Sequence, residues 1–122
     1  MITYVATVWA RAGHEQDVTR FYRDLEPLVQ QAPGYRGRKI LRARPGTMEA
    51  ALRKLVSPEE LAKHAEAAAP KGVHFVIVEQ WDSVEERVAF SRSAASAHRG
   101  RDLFPYILPE HSHEFYEDVT PA

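Results

Sequence analysis

The chain has 122 residues, of which 44% are apolar and 27% are charged, a balance typical of a folded globular protein. A chain of this length buries one hydrophobic core, so we expect a single domain over residues 1–122. Because 16 Lys and Arg residues offset 17 Asp and Glu residues, a strong general attraction to nucleic acid or to an anionic membrane is excluded. The apolar runs are too short to span a bilayer, and the N-terminal sequence does not match a signal peptide.

The sequence contains no cysteine. Disulfides, thiolate nucleophiles, iron–sulfur clusters and cysteine-based zinc sites are therefore excluded. The sequence also has no dinucleotide-binding glycine motif, no P-loop and no nucleophile elbow, so it gives no support for nucleotide-dependent chemistry or serine hydrolysis. This composition fits a cytoplasmic protein, which is the location we expect.

The first part of the chain predicts a strand, a helix and a second strand. Residues 2–10 are rich in β-branched and aromatic side chains and predict a strand. After Gly13, apolar residues recur at steps of three and four, which predicts an amphipathic helix that ends before Pro33-Gly34. Residues 35–44 predict the second strand, which Pro45-Gly46 closes.

Residues 45–72 are rich in Ala, Leu, Glu and Lys and predict a helical insertion between strands two and three. Within this insertion, Ser57-Pro58-Glu59-Glu60 matches a capping box, the pattern that starts a helix. Residues 73–81 form the most continuous apolar run and predict a central strand that is covered on both sides.

The last part of the chain predicts a helix and a final strand. A second capping box, Ser83-Val84-Glu85-Glu86, predicts a helix that continues into the alanine-rich residues 94–97. Arg99-Gly100 predicts a break or a kink, residues 103–108 a short helix, and residues 111–119 the final strand.

The order of these elements predicts a ferredoxin-like α+β fold, a βαββαβ sheet with helices on one face. The outer face of such a sheet still carries large apolar side chains here, and an exposed apolar patch of that size usually marks association. We therefore expect a homodimer in which the two uncovered sheet faces pack together.

Residues 75–83, FVIVEQWDS, resemble the E-x-W-x-S strand-and-turn signature of antibiotic-biosynthesis-monooxygenase-like proteins. Three more features are similar to that superfamily in order: the early strand with its glycine turn, Pro33-Gly34-Tyr35 before strand two, and the aromatic-rich turn before the last strand. The resemblance covers most of the chain except about residues 45–72, which are longer than the usual hairpin there. It implies a dimeric α+β barrel.

The resemblance implies less about the reaction, because the superfamily includes quinone-forming monooxygenases, haem degraders, polyketide cyclases and proteins of no known activity. Haem degraders use an asparagine, a tryptophan and a histidine. The corresponding positions here hold Ala6 or Thr7, then Phe90, and His98 about one residue out of register, which disfavours haem cleavage. Cofactor-free quinone-forming relatives use asparagine, tryptophan and arginine, and this chain has no asparagine.

We therefore expect a monooxygenase-like enzyme that acts, without a metal or other cofactor, on an aromatic or polyketide-like small molecule. His98 would abstract a proton as general base and create a phenolate or carbanion that reacts with O₂. In the alternative interpretation, His98 only binds the free carbonyls at a helix C-terminus. The alternative functions are a non-catalytic ligand-binding or stress-response barrel and a polyketide cyclase.

Four arginines fall on one predicted face of the second strand: Arg36, Arg38, Arg42 and Arg44. A guanidinium group can hold a carboxylate or a phenolate, and Arg38 is the second expected catalytic residue. The alternative is structural pairing with the acidic last strand, in the same chain or in the partner, at Glu110, Glu114, Glu117 and Asp118.

His111 and His113 lie two residues apart, so both point to one face of the predicted last strand. This spacing is compatible with two zinc or copper ligands, completed by Glu110, Glu114 or His98, and equally with a polar strand edge. No metal is included in the expected site. The aromatic side chains expected to contact the substrate are Trp9, Tyr22, Phe75, Phe90 and Tyr106, although most aromatic residues here, Phe104 included, also suit the core.

Overall fold

The computed structural model of the protein describes residues 1–60, 72–93 and 99–122. These residues form the strands β1 (Ile2–Arg11), β2 (Tyr35–Arg42), β3 (Gly72–Trp81) and β4 (Ile107–Tyr116). They also form the helices α1 (Glu15–Val29), α2 (Thr47–Leu52), α3 (Val84–Arg92) and α4 (Arg99–Leu103), with a 3₁₀ turn over Phe104–Tyr106.

The strands form one antiparallel sheet in the order β2-β3-β1-β4. The two central strands are β3 and β1, as their β-branched and aromatic content predicts. Helix α1 joins β1 to β2, and α3 and α4 lie between β3 and β4. The predicted ferredoxin-like α+β fold is therefore confirmed, with an open rather than a closed sheet.

The cross-strand register assigns each strand residue to one of two sheet faces, because directly paired residues point to the same side. Helices α1 and α3 cover the face that includes Ile77, which pairs with Ile40 of β2 and Ala6 of β1. The opposite side, which we call the open face, carries Thr3, Val5, Thr7, Trp9, Lys39, Leu41, His74, Val76, Val78, Gln80, Ser112, Glu114 and Tyr116.

The hydrophobic core under the helices is divided into two clusters. The larger one joins β1, β3, α1 and the turn before β4 through Val8, Ala10, Val18, Tyr22, Phe75, Ile77, Leu103 and Ile107. The smaller one contains Val29, Trp81 and Phe90. Along β3, the helix-facing positions are Phe75, Ile77, Glu79 and Trp81, so the buried Glu79 lies between the two clusters.

Strand β2 begins with a bulge, and this changes the predicted face of its arginines. Tyr35 pairs with Trp81, but the next pair joins Gly37, not Arg36, to Gln80. Gly37 has a φ of 144°, which only glycine adopts easily. Arg36 is therefore displaced from the face that carries Arg38, which corrects the prediction that the two arginines share one face.

Two further parts of the arginine prediction are wrong within the chain. Strand β2 ends at Arg42, so Arg44 lies outside it. Strands β2 and β4 occupy opposite edges of the sheet, so the arginines cannot pair with the acidic last strand of the same chain. Arg36 instead binds Asp82 through two hydrogen bonds of 2.7 and 2.8 Å, which hold the pKa of Asp82 below its usual value.

Both predicted capping boxes form at least in part. Ser83 precedes α3 and accepts a hydrogen bond of 3.2 Å from the backbone N–H of Glu86, whose carboxylate accepts one of 2.9 Å from the Ser83 hydroxyl. In the insertion, Ser57 accepts a hydrogen bond of 3.2 Å from the backbone N–H of Glu60. The remainder of the predicted insertion helix, residues 61–71, lies outside the described residues.

The region after α3 differs from the prediction in two places. Helix α3 ends at Arg92, because Ser93 adopts extended backbone angles, and the alanine-rich residues 94–98 lie outside the described residues. Arg99-Gly100, predicted to be a break or a kink, lies within α4. The last strand begins at Ile107 rather than at residue 111, since Ile107 already pairs with Ala10 of β1, before a shift in register that ends at His111.

Candidate active site between sheet and helices

A cavity of about 390 Å³ lies between the helix-covered face of the sheet and helices α1 and α3. Its apolar lining includes Val8, Phe21, Leu25, Ile77, Phe90 and Phe104. Its polar lining includes Tyr4, Tyr22, Glu79, Arg87, His111 and His113. We call it the sheet–helix cavity, and a space of this size with mostly apolar walls and few polar groups is typical of a small-molecule site.

Glu79 is the buried anion of this cavity, with 4% of its surface exposed. Its Oε1 atom accepts two hydrogen bonds of 2.8 Å, one from the indole Nε1 of Trp81 and one from the Nε of Arg87. A buried carboxylate needs such partners to offset its lost hydration. Because Ser83 fixes the start of α3, the Glu, Trp and Ser of the E-x-W-x-S signature together position Arg87.

Arg87 projects from α3 into the cavity, and 14% of its side chain is exposed. Its guanidinium carbon lies 4.1 Å from the centre of the Tyr4 ring, a cation–π contact. Burial raises the pKa of Tyr4, and the nearby Arg87 charge opposes this shift without cancelling it. Tyr4 is therefore a neutral phenol at neutral pH, and its ring contacts the same Arg87 guanidinium that binds Glu79.

A second guanidinium, that of Arg38, is buried with 1% of its side chain exposed. Its Nη2 donates hydrogen bonds to Glu26 Oε2 at 2.6 Å and to the Tyr22 carbonyl at 2.7 Å. Its Nη1 lies 4.0 Å from Glu79 Oε2. Negative and positive side chains therefore alternate between α1 and α3, in the order Glu26, Arg38, Glu79 and Arg87. This alternation limits the net charge that is buried.

Arg38 also lines a second space, a cleft of about 550 Å³ between α1 and β2. Arg23, Arg42 and Phe75 line the same cleft. The Nε and Nη1 atoms of Arg38 are buried without a hydrogen-bond partner among the described residues. This cleft adjoins the sheet–helix cavity, since Tyr22 lines both.

Two tyrosines near Glu26 have raised pKa values. Burial is the main cause for Tyr22, whose pKa lies far above its usual range. The pKa of Tyr35 rises to about 12, first through burial and then through the negative charge of Glu26, which accepts the Tyr35 hydroxyl hydrogen bond at 3.2 Å. Neither phenol is an acid or base at neutral pH, so these tyrosines supply contacts rather than proton transfer.

His111 and His113 line the sheet–helix cavity from β4. The His113 ring lies 6.3 Å from the ring of Tyr4, and the His111 ring lies 6.5 Å from the ring of Phe104, both as stacked pairs. Within the described residues, no group of three or more His, Cys, Asp or Glu side chains is arranged to hold a metal ion. Glu110 and Glu114 therefore do not complete a metal site with the histidine pair, and His98, the third expected ligand, lies outside the described residues.

The structure separates the residues predicted to contact the substrate. Tyr22 and Phe90 line the sheet–helix cavity, and Phe75 lines the α1–β2 cleft. Tyr106 lines a third space of about 360 Å³ beside α1 and α4. Trp9 lies on the open face, where it stacks on His74 at 4.3 Å, so it is not part of the cavity.

The structure describes only one of the two predicted catalytic residues. His98 lies outside the described residues. Arg38 lines the α1–β2 cleft and contacts the cavity's Glu79 only at 4.0 Å. Their catalytic roles stay predictions.

Sequence reasoning missed Tyr4, Glu79 and Arg87 as cavity residues. Glu79 was visible as the first residue of the E-x-W-x-S signature, but nothing in the pattern marks it as buried. Arg87 follows the second capping box by one residue, and a charged residue in a polar helix normally faces solvent. Its inward direction depends on the carboxylate of Glu79, a contact that becomes visible only in three dimensions.

None of the helices in the described part of the chain has the length and apolar character needed to cross a membrane. No protein-family model matches the sequence, and no curated protein sequence matches it. Solved structures do match over nearly the whole chain.

SnoaB from Streptomyces nogalater, described as a cofactor-independent oxygenase, matches with a TM-score of 0.68 at 10% identity, covering 98% of this chain and 94% of its own. A protein described as an antibiotic biosynthesis monooxygenase matches with a TM-score of 0.65 at 13% identity, covering 98% and 100%. PA3566 from Pseudomonas aeruginosa matches with a TM-score of 0.65 at 13% identity, covering 98% and 94%. The resemblance predicted from residues 75–83 is therefore confirmed at the level of structure: the chain has the α+β fold of antibiotic-biosynthesis-monooxygenase-like proteins.

Proposed function

We propose that the protein is a monooxygenase-like enzyme that oxidises an aromatic or polyketide-like small molecule in the sheet–helix cavity, without a bound metal. The observation that carries the proposal is the cavity itself: aromatic and aliphatic walls enclose the Arg87 guanidinium, the Tyr4 hydroxyl and two imidazoles. Such a site suits a flat substrate that becomes an anion. The fold shared with SnoaB, a cofactor-independent oxygenase, supports the same reaction class.

The reaction needs a base and a stabilised anion. A base removes a proton from a phenolic or acidic C–H group, and the resulting electron-rich anion reacts with O₂ directly. With an anthrone, the methylene carbon becomes a carbonyl: one oxygen atom enters the product, and the other leaves as water with the two hydrogens. His98 and Arg38 are the catalytic residues proposed from the sequence, and Arg87 is the cation that lines the cavity.

An oxygen-uptake assay with hydroquinones and anthrones tests this proposal. We expect at least one compound to consume one O₂ per molecule in the presence of the protein, at a rate that EDTA does not change. Heat-denatured protein gives the uncatalysed rate. If a ligand binds without oxygen uptake, a non-catalytic binding barrel is supported instead, and ring closure of a polyketide without uptake indicates a cyclase.

The proposal includes a homodimer formed by the open face, and a cytoplasmic location that the cysteine-free sequence supports. Val76 lies near the middle of the open face, between Leu41 and Thr7, and half of the Leu41 side chain is exposed in the protomer. A second copy packed on this face removes that apolar surface from water.

We expect sedimentation at micromolar concentration to give twice the protomer mass of 13.9 kDa. Val76→Asp places a charge at the centre of the contact and is expected to shift the protein to the monomer. Val88→Asp is the matched control, because Val88 is 43% exposed on α3 in the helical layer, and it should leave the dimer intact. A wild-type protein that sediments only as a monomer contradicts the proposed dimer.

A further inference from the structure

We infer that His113 is the proton acceptor of the sheet–helix cavity. This inference rests on the proposed function, because it assigns the base for the first step of that reaction to His113 instead of His98. Its evidence is the position of His113 in β4 and its relation to Tyr4 and Arg87, none of which the E-x-W-x-S signature contains.

The register of β4 directs His113 toward the cavity. His113 pairs with Ala6 of β1, which in turn pairs with Ile77 of β3, so the three side chains form one row on the helix-covered face. The methyl group of Ala6 is the smallest side chain in that row, and it leaves space beside the imidazole. His113 is exposed and lines the cavity, so a bound molecule can reach its ring.

Tyr4 connects His113 to the cation of the cavity. The His113 ring stacks on Tyr4 with centroids 6.3 Å apart and an interplanar angle of 28°. The Arg87 guanidinium carbon lies 4.1 Å from the centre of the same Tyr4 ring. A substrate hydroxyl that binds next to Tyr4 is therefore near both a proton acceptor and a positive charge, the two groups that phenol ionisation requires.

The other described histidines are less suited to this role. His111 pairs with Val8, one row further from Tyr4, which is a displacement of about 7 Å along the strand. His14 already binds the Asp17 carboxylate at 2.9 Å beside the start of α1. His74 lies on the open face against Trp9.

The proposed step is a single proton transfer. An unprotonated ring nitrogen of His113 takes the proton of the substrate hydroxyl, and the electron pair of the broken O–H bond stays on oxygen. The products are an imidazolium and a phenolate, whose charges attract each other, and Arg87 adds a second positive charge near the phenolate. The charged and titratable groups that face this step are Tyr4 from β1, Tyr22 from α1, Glu79 from β3, Arg87 from α3 and His111 from β4 itself.

The experiment measures ionisation and turnover separately. A nitrophenol is used as the probe, because its visible absorbance reports the phenolate, at a pH where the free probe is mostly neutral. We expect wild-type protein to bind it as phenolate, and His113→Gln to lower the bound phenolate fraction about tenfold. In oxygen uptake with the best substrate, His113→Gln is expected to lower kcat about 100-fold.

The controls are His14→Gln, which should match wild type in both measurements, and thermal melting, which should be unchanged for His113→Gln because the side chain is exposed. A His113→Gln protein with wild-type bound phenolate and wild-type kcat overturns the assignment. So does a loss that appears only in His111→Gln or His98→Gln.

Failure of the proposed function gives a different result. If wild-type protein binds the probe as phenolate but consumes no oxygen with any substrate, the oxidation is disproved, while a loss of phenolate in His113→Gln still supports the assignment. If no nitrophenol binds to the wild-type cavity, the assignment of His113 is overturned, whereas oxygen uptake with hydroquinones and anthrones still decides the proposed function.

Discussion

Replacing Glu79 with alanine is expected to lower the free energy of unfolding by about 3–5 kcal/mol, because it removes one partner of a buried ion pair and leaves the other charged. Glu79 accepts hydrogen bonds from Trp81 and Arg87 and lies 4.0 Å from the buried Arg38. Without its carboxylate, the Arg87 guanidinium and the Trp81 indole N–H lose an acceptor, and the buried Arg38 loses a nearby negative charge, in a region with little access to water. Urea denaturation followed by circular dichroism measures the change.

Two variants separate the charge of Glu79 from its size. Glu79→Gln keeps an oxygen that can accept from Trp81, so its loss should be smaller than that of the alanine variant. Glu110→Ala makes the same truncation at an exposed position of β4 and should change stability by less than about 0.5 kcal/mol. A loss of stability below about 1 kcal/mol in Glu79→Ala would show that folding does not depend on this carboxylate to balance the charges of Arg38 and Arg87.

A double variant tests the pairing directly. If Arg87 is the partner left unpaired, then Glu79→Ala combined with Arg87→Met should be more stable than the sum of the two single losses predicts. Positive coupling is expected because the second substitution removes a buried charge that the first one isolates. Additive losses would mean that the 2.8 Å contact between the two side chains contributes nothing to folding.

The fold was predictable because its signals are local. The three- and four-residue spacing of α1, the apolar run of β3 and the two capping boxes depend only on neighbouring residues, and the structure confirms each within the described residues. The bulge at Arg36 was not predictable, because the prediction assumed an unbroken two-residue alternation along β2. One extra residue interrupts that alternation, so Arg36 and Arg38 do not share a face. The start of β4 at Ile107 was not predicted, because Pro109 has no backbone N–H to donate and proline within a sequence segment argues against a strand.

The site was less predictable, because it depends on pairs that are distant in the sequence. Glu26, Arg38, Glu79 and Arg87 come from four different elements, and each is an ordinary charged residue when it is considered alone. The aromatic residues were assigned to one cleft by type, whereas the register distributes them over both faces of the sheet. Trp9 illustrates this: its neighbour Val8 is in the core, so Trp9 must point to the open face.

Arg87→Gln is expected to lower the kcat for oxygen uptake about 100-fold, because the cavity loses the positive charge that stabilises the substrate anion. Arg87→Lys keeps a positive charge but cannot reproduce the planar guanidinium that contacts both Glu79 and the Tyr4 ring, so an intermediate loss is expected. The bound phenolate fraction of a nitrophenol should fall in the same order.

Stability has to be measured beside activity, since Arg87→Gln also removes the partner of Glu79. Arg92→Gln is the matched control: Arg92 is exposed at the end of the same helix and should keep wild-type turnover. Rates are compared at a temperature at which circular dichroism shows every variant folded. If Arg87→Gln is folded and turns over at the wild-type rate, the anion is stabilised elsewhere, and the three arginines of the α1–β2 cleft become the next candidates, because Arg38 still has two buried nitrogens without a partner among the described residues.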